Sequence, residues 1–128
     1  MQISRSTKAP FNAVQFRLLE DKEESGWRNF EAVNLGKRPI VFLLVVGYAY
    51  DKDGKQVGRS KSLNWQDMRE DGGIHAGKKE NIRVGTYDDK LPDTAVTFEL
   101  CVEGIQFKGD KELTRDEEAC PDQKPQSK

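Results

Sequence analysis

Over most of the chain apolar and polar residues alternate with a period of two, the pattern of strands half-buried in a sheet. In "FNAVQFRLLE" (11–20), Val14, Phe16 and Leu18 fall on one face. "WRNFEAVNLG" (27–36) predicts a second strand closed by Gly36, and "KRP" turns the chain. "IVFLLVVGYAY" (40–50), rich in β-branched and aromatic residues, is the expected centre of the fold. "KQVGRSKSL" (55–63) reads as a thinner strand whose Gly58, Arg59 and Lys61 suit an edge. "IHAGKKENIRVGTY" (74–87) turns at Gly77 and continues as a strand carrying Ile82 and Val84. The clearest alternation is "TAVTFELCVEG" (94–104), with Val96, Phe98, Leu100 and Val102 against Thr97, Glu99, Cys101 and Glu103. That pattern buries the first four and leaves Glu99 and Glu103 on a solvent face. "NWQDMREDGG" (64–73) breaks the rhythm: Asn64 as cap, Asp67 at the third position and Gly72 as stop predict a short helix near 64–71.

Short strands with a turn signal every 8–12 residues predict an all-β fold, an antiparallel β-sandwich of about seven strands. Residues 1–10 read as a loose N-terminal segment, 11–108 as the sandwich, 109–120 as a return segment packed on a sheet, and 121–128 as a disordered tail.

Between the third and fourth strands lies "YDKDGK". A calcium loop of the EF-hand kind needs oxygen ligands at positions 1, 3 and 5, glycine at 6 and glutamate at 12. Counted from Asp51, those last three positions hold Lys55, Gln56 and Ser62, and Lys52 adds a second cation. The hairpin reading requires much less, because Asp53-Gly54 suits a two-residue turn with positive φ at both centres. That turn would set Tyr50 opposite Val57 and Tyr48 opposite Arg59.

The stretch "AVNLGKRPIVFLLVVGYAYDKDGKQVG", then "IHAGKKENIRV" and "VTFELCVEGIQF", resembles the bacterial immunoglobulin-like domains of the FxLYD type and their relatives. Tyr50, Asp51, Gly54 and Gly77 match that pattern over roughly residues 30–107, with Ala76 in place of the usual proline. The resemblance implies an immunoglobulin-like sandwich, a secreted or membrane-anchored setting, and a binding or spacer role without catalysis. It carries no functional residues to transfer.

The 40–50 strand is apolar on both faces, whereas a two-layer sandwich buries only one face of each sheet. The resemblance places Val41, Leu43, Val45, Gly47 and Ala49 inside. Ile40, Phe42, Leu44, Val46, Tyr48 and Tyr50 then form an outer patch larger than a monomer normally leaves bare. The candidate covers are the segment after Gly104 (Ile105, Phe107, Leu113), a second copy of the chain, or a partner. In the immunoglobulin order Cys101 lies beside the Phe42 set. A Cys101–Cys120 disulfide would draw residues 105–119 back over the patch, closing a loop of about 20 residues worth roughly 3 kcal/mol. The alternative is two unrelated thiols; their separation fits neither a CxxC redox pair nor a zinc site.

Composition narrows function mainly by exclusion. The 128 residues suit one domain. With 21 basic against 22 acidic side chains and a net charge of −1, no long-range field draws in nucleic acid or an anionic membrane. The longest uncharged apolar run, Pro39 to Tyr50, is shorter than the roughly 20 residues of a membrane span. "MQISRSTKAPF" has no signal-peptide core, so the expected setting is periplasmic, secreted or lipid-anchored with the leader absent, or else cytoplasmic. His75, the one histidine, sits between glycines without a serine elbow or HExxH motif, and no phosphate loop is present. Trp65 and Met68 would share a face of the expected helix, either plugging the sandwich or offering a platform for a peptide or sugar. Trp27 is expected in or near the core. The sequence thus points to a non-catalytic interaction or structural module with no cofactor and no metal. Its candidate interaction residues are Phe42, Leu44, Tyr48, Tyr50, Trp65 and Met68. Alternatives are a homodimer joined through the Phe42 face and a small peptide- or carbohydrate-binding domain at Trp65.

Overall fold

A computed structural model describes residues 3–22, 28–84 and 95–121. Nine strands are assigned among them: β1 (Ile3–Arg5), β2 (Val14–Lys22), β3 (Arg28–Asn34), β4 (Ile40–Tyr50), β5 (Gln56–Arg59), β6 (Leu63–Gln66), β7 (Lys79–Val84), β8 (Thr97–Phe107) and β9 (Thr114–Arg115). They form two sheets, ordered β1-β2-β3-β7 and β5-β4-β8-β9, with β6 also on β4 and all pairs antiparallel. The chain is an all-β sandwich. It crosses between the sheets after β3, after β6 and between β7 and β8.

The core follows from the alternation. Phe16, Phe30, Ala32 and Ile82 of one sheet face Leu43, Val45, Leu100 and Val102 of the other, all buried. A 3-10 turn at Phe11–Ala13 precedes β2 and puts Phe11 into the same core. From Leu43 onward the expected inner register holds, with Leu43, Val45 and Ala49 in the main cluster. An irregularity between Ile40 and Phe42 puts Ile40, expected on the outer face, into that cluster in place of Val41.

Several expectations are corrected. The first ten residues are not simply loose, because Ile3–Arg5 pairs with Gln15–Arg17 of β2. No helix forms at 64–71. Leu63 and Trp65 alternate inward against Val45 and Leu43, and β4 pairs with Leu63–Gln66 and accepts the Asp67 N–H at Val41 O. Asp67 is not spent on a helix cap: its carboxylate accepts from Arg69 Nε at 2.7 Å, Arg69 Nη2 at 2.8 Å and the Gly73 N–H at 3.0 Å. Arg69 and then Gly73 hold this carboxyl well below the usual aspartate range.

The 51–55 hairpin forms, but not with a two-residue loop. Asp51 N–H donates to Lys55 O at 2.9 Å, and Asp51 Oδ1 accepts from the N–H groups of Asp53 and Lys55. Tyr48 does face Arg59, whereas an irregularity sets Tyr50 opposite Gln56 rather than Val57. Val96 is 62% exposed rather than buried.

In β8 a bulge at Glu103 shifts the alternation, since Val102 pairs with Val45 and Gly104 with Leu44. Ile105 is therefore in the core and does not cover the outer patch. Glu103 is buried rather than on a solvent face: Ser62 Oγ donates to its carboxylate, and Arg115 Nη2 lies 3.6 Å away.

Gly73 has φ +97°, and a Cβ placed there would lie 2.7 Å from the Ile40 carbonyl oxygen. Gly73→Ala combines a left-handed backbone with a backbone clash, so it is expected to destabilise by about 2 kcal/mol. Urea unfolding checks this. A change below a few tenths of a kcal/mol would mean the loop relaxes freely.

Candidate functional site

Two segments distant in sequence build the walls of one cleft on the second sheet. One wall is β1 with residues 6–8; the other is the strap 116–121 that follows β9. Between them Tyr48, Glu99, Leu100 and Cys101 form the floor of an open cleft of about 640 Å³.

The strap is fixed at its far end. Cys101 and Cys120 form a disulfide with Cα atoms 6.0 Å apart. Beyond it, Tyr48 Oη donates to Pro121 O at 2.6 Å, while Arg59 Nη2 donates to Cys120 O at 2.6 Å and Arg59 Nε to Pro121 O at 3.2 Å. Val46, Tyr48 and Cys120 make a second apolar cluster, with Tyr50, Cys101 and Ala119 packed around it. The return segment thus covers the Val46–Tyr48 half of the outer patch.

The candidate interaction residues separate accordingly. Tyr48 is 1% exposed under the strap, so it is a fastening rather than a contact surface. Tyr50 is half-buried, and its hydroxyl donates to Glu99 Oε1 at 2.5 Å. Burial and then this bond to a carboxylate hold the Tyr50 phenol well above its ordinary pKa. Phe42 and Leu44 are half-buried, beyond the reach of the strap cluster. Trp65 is half-buried against the core and not an open platform, whereas Met68 is 58% exposed. Without a helix these two share no face. Trp27 lies outside the described residues. The His75 ring is exposed, with Nε2 3.1 Å from Asp71 O.

Lys8 and Asp116 join the two walls at one end of the cleft, Nζ to Oδ2 at 3.2 Å. The Glu118 N–H, donating to Asp116 Oδ1 at 3.0 Å, and then Lys8 lower the Asp116 pKa. Its folded value lies below the unfolded one. The associated stability is present above the ordinary aspartate value of about 4 and is lost as pH falls through the lowered value. In a carboxylate NMR titration Asp116 is expected to titrate below a free aspartate, and Lys8→Ala should move it part of the way back. An unchanged value in the variant would remove Lys8 from the account.

No protein-family model and no curated protein sequence matches this chain. Among solved structures, the X-ray structure of Northeast Structural Genomics Consortium target SoR45 is similar at 11% identity, over 88% of this chain and 76% of that one, with a TM-score of 0.32.

Sequence reasoning missed the cleft because neither wall carries a motif. The N-terminal wall is polar and the strap is charged. The one legible signal was Cys101 on the outer face with a second cysteine in a polar stretch. Among the described residues no His, Cys, Asp or Glu group is arranged to hold a metal ion, and no helix is long and apolar enough to cross a membrane.

Proposed function

We propose that this chain is a non-catalytic interaction module working outside the cytoplasm, immunoglobulin-like in architecture, with the cleft between β1 and the strap as its contact site. The observation that carries this reading is the Cys101–Cys120 bridge, which turns a charged segment into one fixed wall of a concave site. Structural disulfides belong mainly to oxidising compartments. The strand order supports the immunoglobulin-like part: β4 neighbours β8 in one sheet and β3 neighbours β7 in the other, with crossings after β3, after β6 and between β7 and β8.

Site-specific photo-cross-linking in the producing cells tests the reading. A probe at exposed Thr7, on the cleft rim, is expected to give a discrete adduct that a probe at exposed Asn81 on the first sheet does not. Equal labelling from both positions, or none from either, would sink the contact site. An adduct of twice the chain mass would favour the homodimer. Alkylating thiols before lysis tests the compartment: both cysteines should stay blocked until reduced.

A further inference from the structure

Part of the cleft floor is a sheet edge with main-chain groups turned outward. β8 runs from Thr97 to Phe107, yet β9 pairs with it only at Gly104 and Ile105. From Thr97 to Val102 no strand among the described residues pairs with that edge, although β1 runs close enough for Ser4 to reach it.

The direction of its main-chain groups follows from β4. Gly47 N–H donates to Ser60 Oγ at 2.7 Å, and Gly47 O accepts from the Ser60 N–H at 2.8 Å, so the Gly47 backbone faces away from β8. Gly47 is paired with Leu100. In an antiparallel ladder such a pair exchanges no hydrogen bonds, so Leu100, and with it Phe98 and Val102, turn their N–H and C=O outward. Ser4 Oγ accepts from the Leu100 N–H at 3.3 Å, a long bond from a side chain where a strand would supply a carbonyl.

We propose, building on the interaction reading, that the cleft receives an extended basic peptide that adds as a strand to β8 around Leu100. Its carbonyl replaces the Ser4 hydroxyl on the Leu100 N–H. Unpaired edges bind strands through main-chain hydrogen bonds, with affinity from the backbone and selectivity from side chains. The cleft volume of about 640 Å³ lies within the usual range for bound ligands.

Charge selects the kind of peptide. The lining carries three carboxylates, Glu99, Asp116 and Glu118, against two cations, Arg5 and Lys8. Lys8 is tied to Asp116, and Arg5 Nε donates to Asn12 O at 2.8 Å. Glu118 is exposed on the rim, with no ion-pair partner among the described residues. A basic side chain on the added strand meets this excess negative charge.

The test is amide NMR on the full oxidised chain, titrated with an acetylated, amidated peptide of alternating lysine and valine. The Phe98, Leu100 and Val102 amides should shift and become slow to exchange. Methylating the peptide nitrogens that face β8 should weaken binding by about tenfold, since it removes strand hydrogen bonds. Glu118→Gln, at an exposed rim position, should weaken it by about threefold. Ser4→Ala should tighten it by about threefold, because the Leu100 N–H then enters the complex without a partner to displace. A purely structural Ser4 would not give that sign. The proposal is overturned if the peptide does not bind, if its shifts map away from β8, or if methylation changes nothing. If it is overturned while the Thr7 adduct still forms, the interaction reading stands and only the strand mode is wrong. Loss of the Thr7 adduct would remove the interaction reading itself.

Discussion

Replacing Asn34 with alanine is expected to lower the free energy of unfolding by about 3 kcal/mol, although no functional argument singles this residue out. Asn34 closes β3 and is fully buried. Its Nδ2 donates to Arg38 O and Ile74 O, both at 2.7 Å, and its Oδ1 accepts from the Gly36 N–H at 2.8 Å. One amide therefore holds the turn that carries the chain from the first sheet to the second. It also holds the loop whose Ile74 bridges to Ile40 of β4. Alanine strands the Arg38 carbonyl and the Gly36 N–H, and leaves Ile74 O with only its bond from the Ile40 N–H. Each unsatisfied buried group costs roughly 1–3 kcal/mol, and the half-buried turn side admits water, so the total falls well short of a full sum. Asn34→Asp keeps the shape and the acceptor but sets carboxylate oxygens against two carbonyls, so it should be at least as damaging at neutral pH. Urea unfolding should show a lower midpoint at unchanged slope. Asn64→Ala, on the exposed side of β6, should stay within about 0.5 kcal/mol. A loss below about 1 kcal/mol for Asn34→Ala would mean that water replaces the amide.

Asn34 stood in the sequence only as a member of the second expected strand, which shows where legibility ended. The β4 and β8 patterns were readable because long alternating runs of large apolar residues have few other places to go. The disulfide was readable because Cys101 pointed outward from one of those runs. What escaped depends on neighbours that periodicity cannot name. The helix expected at 64–71 lost to β4, whose edge pairs Leu63–Gln66. One bulged residue, Glu103, moved Ile105 from the expected outer face into the core. Ile3–Arg5 is a strand only because β2 offers an edge; Ile3 itself stays 56% exposed. The cleft combines that unremarked strand with the strap, so its parts were visible and their meeting was not. Tyr48 shows the same limit from the other side. Its apolar position was legible, and its use as a hydrogen-bonding post for Pro121 was not.

Removing the disulfide, by reduction or as Cys101→Ala with Cys120→Ala, is expected to act at two levels. The bridge spans a sequence separation of 19, for which chain entropy predicts a global loss of about 3 kcal/mol. The local effect should come first. Holding residues 116–121 in place costs roughly 1–2 kcal/mol of backbone entropy per residue. Against this stand the bonds from Tyr48 and Arg59, worth about 1 kcal/mol each, and the burial of Cys120 and part of Ala119. Those gains fall short once the covalent tie is gone, so the strap should open in a molecule that remains folded. Hydrogen exchange would then speed up at 116–120 and at Val46–Tyr48 while the amides of β2 and β3 stay protected. Thr7 cross-linking should weaken in the same sample, because one wall of the cleft has left. A global loss with unchanged strap exchange would mean that Tyr48 and Arg59 hold the segment unaided. Unchanged stability and exchange together would mean that the bridge joins parts already fixed by packing, and the cleft wall would then owe nothing to oxidation.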